Sequence, residues 1–206
     1  MYLPKPFNQP EHAATLMREH PLASLVTTDD SGFPFIAHLP LHLVEEGGQP
    51  VRLLGHCAKG NPLGAHLQSR PRALASFMGP QAYMSPQVYA DLQRVPTWSY
   101  LAVQARVEAR LLDGHEAKDA LLKQLIADHE PAYAAQWRAL PEDYTGKMLN
   151  AITAFELRIV DVQCAVKLNQ HRPEAHTAMH AAYAAGPAQE QALAKWMERL
   201  GLVQAG

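Results

Sequence analysis

His56 and Lys59 lie in the segment Gly55-His56-Cys57-Ala58-Lys59-Gly60-Asn61-Pro62, between a stretch of strand character and a helix start. Asn61 has the side chain of a helix cap, and Pro62 suits a first helical turn. A helix start offers free backbone N–H groups and partial positive charge, to which Lys59 adds a full charge, so the segment predicts an anion site. The plainer alternative is a capped helix preceded by a solvated lysine. Tyr83, Ser85 and Tyr89 form a second polar and aromatic cluster. Val95-Pro96-Thr97-Trp98-Ser99-Tyr100 is a third; Trp98 and Tyr100 share a strand face with Arg106, Glu108 and Arg110, so their rings are expected to cover a ligand, a partner or a helix. Lys167-Leu168-Asn169-Gln170-His171-Arg172 is a fourth cluster, basic and amide-rich, at the end of a strand.

Other motifs fail on their own chemistry. The glycines around Lys59 have phosphate-loop spacing, but Asn61-Pro62 stands where Lys-Ser/Thr is required. No G-x-G-x-x-G follows a strand, and no Gly-x-Ser-x-Gly elbow is present. His38 and His42 on one strand would be ~13 Å apart, too far to chelate one ion. His176 and His180 have one-face helical spacing, but Thr177 stands where the zincin motif has Glu, and both read as solvated surface histidines. No metal site is expected.

The elements that must hold these clusters alternate between the two hydrophobic periods. Asn8, Pro10 and Glu11 predict a capped first helix, with Ala13, Leu16 and Met17 as its stripe. Strands are expected at 22–28, at 35–44 without interruption, at 51–56 and at 73–78, with a loop at 79–86. A helix follows Asn61-Pro62 as far as Gln68 or Ser69. The stretch 98–112 is the most regular strand, with Leu101, Val103, Ala105, Val107, Ala109 and Leu111 on its apolar face. Such a long strand suits a closed or half-closed antiparallel barrel. Residues 116–128 read as a helix buried through Ala117, Ala120, Leu121 and Leu125, and two shorter helices follow Pro131 and Pro141. Phe155, Leu157 and Ile159 mark another strand, with 164–168 expected to pair back by a hairpin. From Glu174 the chain is Ala-rich and helical, broken at Gly186-Pro187. Leu193, Trp196, Met197 and Leu200 give its last helix an apolar docking face, expected to meet another subunit. The expectation is a mainly β, α+β fold: a barrel domain over 1–173 with helical insertions, then a helical tail over 174–206.

Composition narrows the function classes. The 206 residues carry 18 Lys+Arg against 20 Asp+Glu, a formal charge of −2 with the 11 histidines neutral. That balance disfavours nucleic-acid binding through charge alone. A hydrophobic content of 48% excludes a disordered chain. Two cysteines, Cys57 and Cys164, make no disulfide framework. With no apolar run of membrane-spanning length and no signal-peptide order at Met1-Tyr2-Leu3-Pro4, a cytoplasmic setting without membrane contact is expected.

Taken together, the ordered segments resemble the PaiB family, FMN-binding proteins described as negative transcriptional regulators. The matching segments are Met1-Tyr2-Leu3-Pro4 with Phe7, His38-Leu39-Pro40-Leu41, 55–62, Gly79-Pro80-Gln81-Ala82-Tyr83-Met84-Ser85-Pro86, 95–100 and Lys167-Leu168-Asn169-Gln170, spread over residues 1–173. The chain departs from the family pattern at Val88, Ser99 and His171, where Trp, Asn and Asn are frequent. The resemblance implies a flavin-reductase-like, Greek-key split barrel that is a homodimer with FMN near the subunit interface. It implies Lys59 as the phosphate partner. It extends cofactor contact to His38, His56, Asn61, Tyr83, Ser85, Thr97, Trp98, Tyr100, Lys167, Gln170 and Arg172. It also implies a flavin-linked regulator or sensor, with DNA binding that the charge balance does not support. A flavin-dependent oxidoreductase using NAD(P)H is the alternative. A heme-binding split barrel with a histidine axial ligand is a third reading.

Overall fold

Apolar residues spaced two apart build most of this chain into strands, because successive strand side chains point to opposite faces. The computed structural model describes residues 1–91 and 93–204; residues 205 and 206, read from sequence as part of the tail, lie outside the described residues. The strands are β1 (Leu22–Thr28), β2 (Pro34–Pro40), β3 (His42–Glu46), β4 (Gln49–Ala58), β5 (Arg72–Met84), β6 (Thr97–Leu112) and β7 (Ile152–Lys167). The helices are α1 (Ala13–Glu19), α2 (Leu63–Ser69), α3 (His115–His129), α4 (Ala134–Ala139), α5 (Glu142–Asn150), α6 (His176–Ala184) and α7 (Ala188–Arg199). The strands form one sheet in the order β2-β1-β5-β6-β7-β4-β3, and the pairs β1–β2, β1–β5, β3–β4 and β4–β7 are antiparallel. The fold is α+β with an antiparallel sheet, as the alternation predicted. Among the described residues no helix is long and apolar enough to cross a membrane.

The chain groups into two compact units. The first comprises Met1–Leu16, Met78–Val103 and Gln163–Gly206; the second comprises Met17–Phe77 and Gln104–Val162. The long strands β5, β6 and β7 each give one stretch to either unit.

In the second unit, Leu25, Leu53, Phe77, Phe155 and Leu157 are fully buried. The β1–β2 turn is set by Asp29, whose Oδ1 accepts hydrogen bonds from the Ser31 and Phe33 N–H groups at 2.8 and 2.9 Å. The uninterrupted strand expected at 35–44 is two strands. The Leu41 N–H donates to the Pro21 carbonyl at 2.9 Å, and the chain changes partner there, from β1 to β4. Leu39, Leu41 and Leu43 stay buried through the break, so alternation does not reveal it. Strand β4 also approaches its neighbour closely. A Cβ on Gly55 would meet Leu41 Cδ2 at 2.7 Å and Phe155 Cε2 at 2.9 Å. Of the stripe expected on α3, Leu121 is buried while Ala120 is exposed. β7 is one strand rather than a strand and a hairpin return, with Asp161 exposed within it.

In the first unit, the segment expected to loop at 79–86 is mostly strand, the end of β5. Gly79 reads as a breaker, but its role is proximity: a Cβ there would sit 2.8 Å from Leu16 Cδ1. Asn8 does not cap a helix. It forms a β-bridge with Ala165, and the helical segment starts with a 3-10 turn at Pro10–His12. The stripe of α7 is covered within this unit: Leu193, Trp196 and Met197 are buried, and the His12 ring meets Trp196 edge-on at 5.6 Å. That stripe is therefore not a free surface for a second subunit.

Candidate functional site

The anion-site segment lies in the second unit and is fixed through its backbone. The Lys59 N–H donates to the Ala151 carbonyl at 2.8 Å, and the Asn61 N–H to the Ala58 carbonyl at 2.9 Å. Asn61 Oδ1 accepts from the Leu63 N–H at 3.0 Å, so Asn61 serves as the predicted cap and its carbonyl oxygen is spent there. Gly64 lets α2 settle against β7, since a Cβ would lie 3.0 Å from Thr153 Cγ2. The held loop leaves the Lys59 side chain exposed, and among the described residues it has no ion-pair partner. His56, opposite Ala154 on β7, is half-buried, and burial pushes its pKa below the ordinary 6.5. His38 is exposed on β2, with Nδ1 hydrogen-bonded to Ser24 Oγ at 3.0 Å across the β1–β2 register.

His56 sets a pH dependence. The unfolded chain takes up a proton near pH 6.5 before the folded one does, so protonation favours unfolding and stability falls as pH drops below 6.5. Urea midpoints should be lower at about pH 5.5 than at about pH 7.5, and His56→Gln should reduce the difference. An unchanged difference in that variant would remove His56 as a source.

In the first unit a cleft of about 410 Å³ collects Thr97, Trp98, Lys167 and Arg172 from the predicted residues. Lys167 Nζ donates to Thr97 Oγ1 at 2.8 Å and lies 5.7 Å from the Tyr100 ring centre. Burial lowers the Lys167 pKa from its ordinary 10.5. Trp98 Nε1 donates to Gln81 Oε1 at 2.9 Å, and Tyr83 meets the Trp98 ring edge-on at 6.3 Å. Tyr83 and Tyr100 thus touch residues that line the cleft. Ser85 and Gln170 do structural work. Ser85 Oγ accepts from the Gln87 N–H at 3.2 Å, starting the short turn at Pro86–Val88. Gln170 Oε1 accepts from the Leu168 N–H at 3.0 Å, and its Nε2 donates to the Val166 carbonyl.

Tyr89, Arg94 and Asn169 also line the cleft and were not among the predicted contacts, though Tyr89 and Asn169 lay in the singled-out clusters. Asn169 has φ 61°, the one positive φ at a non-glycine position among the described residues. Asparagine tolerates that region better than most residues, which is the signal its sequence carries. Asn169 Nδ2 donates to the Tyr89 hydroxyl at 2.9 Å. His176 is buried and its Nε2–H donates to the Asn169 carbonyl at 3.0 Å, so it is not a solvated surface histidine. His180 is also engaged, 2.7 Å from Glu198 Oε1.

A family model described as "Putative FMN-binding domain" matches residues 1–161. Protease synthase and sporulation protein PAI 2 of Bacillus subtilis (strain 168) is 31% identical over 177 residues, covering 84% of either chain. Among solved structures, the flavocytochrome Anf3 from Azotobacter vinelandii superposes with a TM-score of 0.61 at 16% identity, covering 78% of this chain and 68% of that one. The FAD and heme binding protein from Mycobacterium smegmatis gives 0.56 at 20% identity, covering 77% and 71%. These likenesses carry the fold, a split barrel, and at such identities nothing more. The family match and the PAI 2 relationship together make this chain a member of the PaiB-like FMN-binding-domain family that its motifs resemble.

Proposed function

We propose that the chain binds FMN with Lys59 on the cofactor phosphate, and that it works as a homodimeric, flavin-linked regulator or sensor. The observation that carries this reading is Lys59 itself: an exposed ammonium without an ion-pair partner among the described residues, on a loop fixed by backbone hydrogen bonds at Lys59 and Asn61. The donor set fits a phosphate, because an exposed lysine reaches an anion without loss of an existing ion pair. His56, held neutral by burial above its lowered pKa, adds no second charge there. FMN, when bound, supplies hydride and electron chemistry, while the chain supplies binding and orientation.

Two features support the finer parts of this reading. A groove of about 520 Å³ in the second unit is lined by Val26, Leu74, Val107 and Val160, and Val160 is 53% exposed. A second copy covering it would bury that apolar surface. The arginines of the same unit are largely matched by acids: Arg110 lies 3.3 Å from Glu156, Arg52 lies 3.6 Å from Glu156, and Arg158 pairs with Glu108. Matched charges and a net −2 favour regulation through a partner protein over direct contact with DNA phosphates.

The test is FMN reconstitution of the purified chain, followed by absorbance and sedimentation. Flavin bands on a dimer, with no bleaching by NAD(P)H, are the expected result. Catalytic bleaching by NAD(P)H would assign an oxidoreductase instead, and a Soret band without flavin would assign a heme protein.

A further inference from the structure

The cleft of the first unit has a charge pattern of its own. Arg94 lies 2.8 Å from Asp91 and 4.0 Å from Glu174, and Arg172 lies 3.9 Å from Glu174. Two carboxylates therefore answer two of the three fixed cations lining the cleft. Lys167 is left over. It is half-buried, and among the described residues it has a hydroxyl and a ring as neighbours but no carboxylate. A partly desolvated, unpaired ammonium is costly unless an anion joins it. One uncompensated positive charge matches one negative charge; a dianionic phosphate would leave a surplus near Glu174 and Asp91. Lys167 Nζ and Thr97 Oγ1, 2.8 Å apart, form a two-point contact suited to the two oxygens of a carboxylate.

The walls are aromatic and already ordered. The Trp98 ring is held by Gln81 and Tyr83, and remains 48% exposed. The Tyr89 ring is held by Asn169, whose positive φ is secured from behind by buried His176. Rings fixed beforehand lose little freedom when a ligand stacks on them. The Arg94 guanidinium lies 4.8 Å from the Tyr89 ring centre and braces that wall further.

We infer that this cleft binds an aromatic monocarboxylate, with the carboxylate on Lys167 and Thr97 and the ring against Trp98 and Tyr89. This goes beyond the flavin reading, which rests on Lys59; FMN is the competing occupant, because the family resemblance assigns several of these residues to it.

Calorimetric titration of the full chain with benzoate tests the assignment, with acetate as the charge without the ring and benzylamine as the ring with the opposite charge. Benzoate should bind, and acetate and benzylamine should bind more weakly by about tenfold or more. Lys167→Met should weaken benzoate by about tenfold or more. Trp98→Leu alters an exposed ring, so it should weaken benzoate without unfolding the chain and carries the test if the lysine variant does not fold. Absence of benzoate binding, equal affinity for acetate, or full affinity in either folded variant would overturn the inference. Displacement of bound benzoate by FMN would overturn it too, and would give the cleft to the flavin.

Discussion

Lys59→Ala is expected to weaken FMN binding by about 10- to 100-fold, the loss of a charge-assisted contact worth about 1.5–3 kcal/mol. Lys59 is exposed, and its backbone N–H, not its side chain, ties the loop to Ala151. The variant should therefore keep the stability of the flavin-free chain to within about 0.5 kcal/mol. Riboflavin has the same ring system and no phosphate, so its affinity should not change. Fluorescence titration with both flavins, alongside thermal melting, reads all three quantities. A variant that loses FMN and riboflavin equally would place the effect elsewhere than at the phosphate.

Phe155→Ala should cost about 3–5 kcal/mol of folding stability, the range for removing a large buried aromatic ring. Phe155 is fully buried on β7, opposite Gly55 on β4, and its ring occupies the space a Gly55 side chain would need. The next residues along β4 are His56 and Cys57, which lead into the Lys59 loop. A cavity there removes contacts from the strand that carries the anion-site segment, so FMN affinity should fall together with stability. Whole domains are stable by only about 5–15 kcal/mol, so a loss of that size will show clearly in urea unfolding. A cost below about 1 kcal/mol would mean that the neighbouring side chains close the space.

Where local rules decide a structure, the sequence was a good guide. β1 has the expected bounds of Leu22–Thr28, and α2 starts after Asn61-Pro62 with Asn61 capping it. β6 buries Leu101, Val103, Ala105 and Val107 as its alternation requires, but Ala109 and Leu111 of the same face are only half-buried and Ala102 of the opposite face is buried. Where partners distant in sequence decide, the sequence was silent. The Leu41 break follows from a hydrogen bond to Pro21 and a change of neighbouring strand, neither of which disturbs the buried alternation. Gly79-Pro80 looks like a turn yet lies within a strand, where the absent side chain leaves room for Leu16. His176 looks like a surface residue of an Ala-rich helix and is buried, with its ring hydrogen-bonded to the Asn169 carbonyl.

The candidate site divides along the same line. Lys59 and Asn61 are neighbours in sequence, and their relation could be read from a capping motif. Lys167 meets Thr97 across 70 residues and Asn169 meets Tyr89 across 80. Family resemblance named Lys167 and Thr97 without pairing them, and residue spacing could not have done so. Gln170 and Ser85 sit in motif segments, yet they hold turns together, which is why a motif position alone does not establish ligand contact.

Titration of the full chain with FMN and with riboflavin, side by side, bears most directly on FMN binding through the phosphate. FMN should bind at one per chain, and about tenfold or more tighter than riboflavin, because riboflavin alone lacks the group that Lys59 holds. Equal affinities for the two flavins, or no binding of FMN, would contradict it.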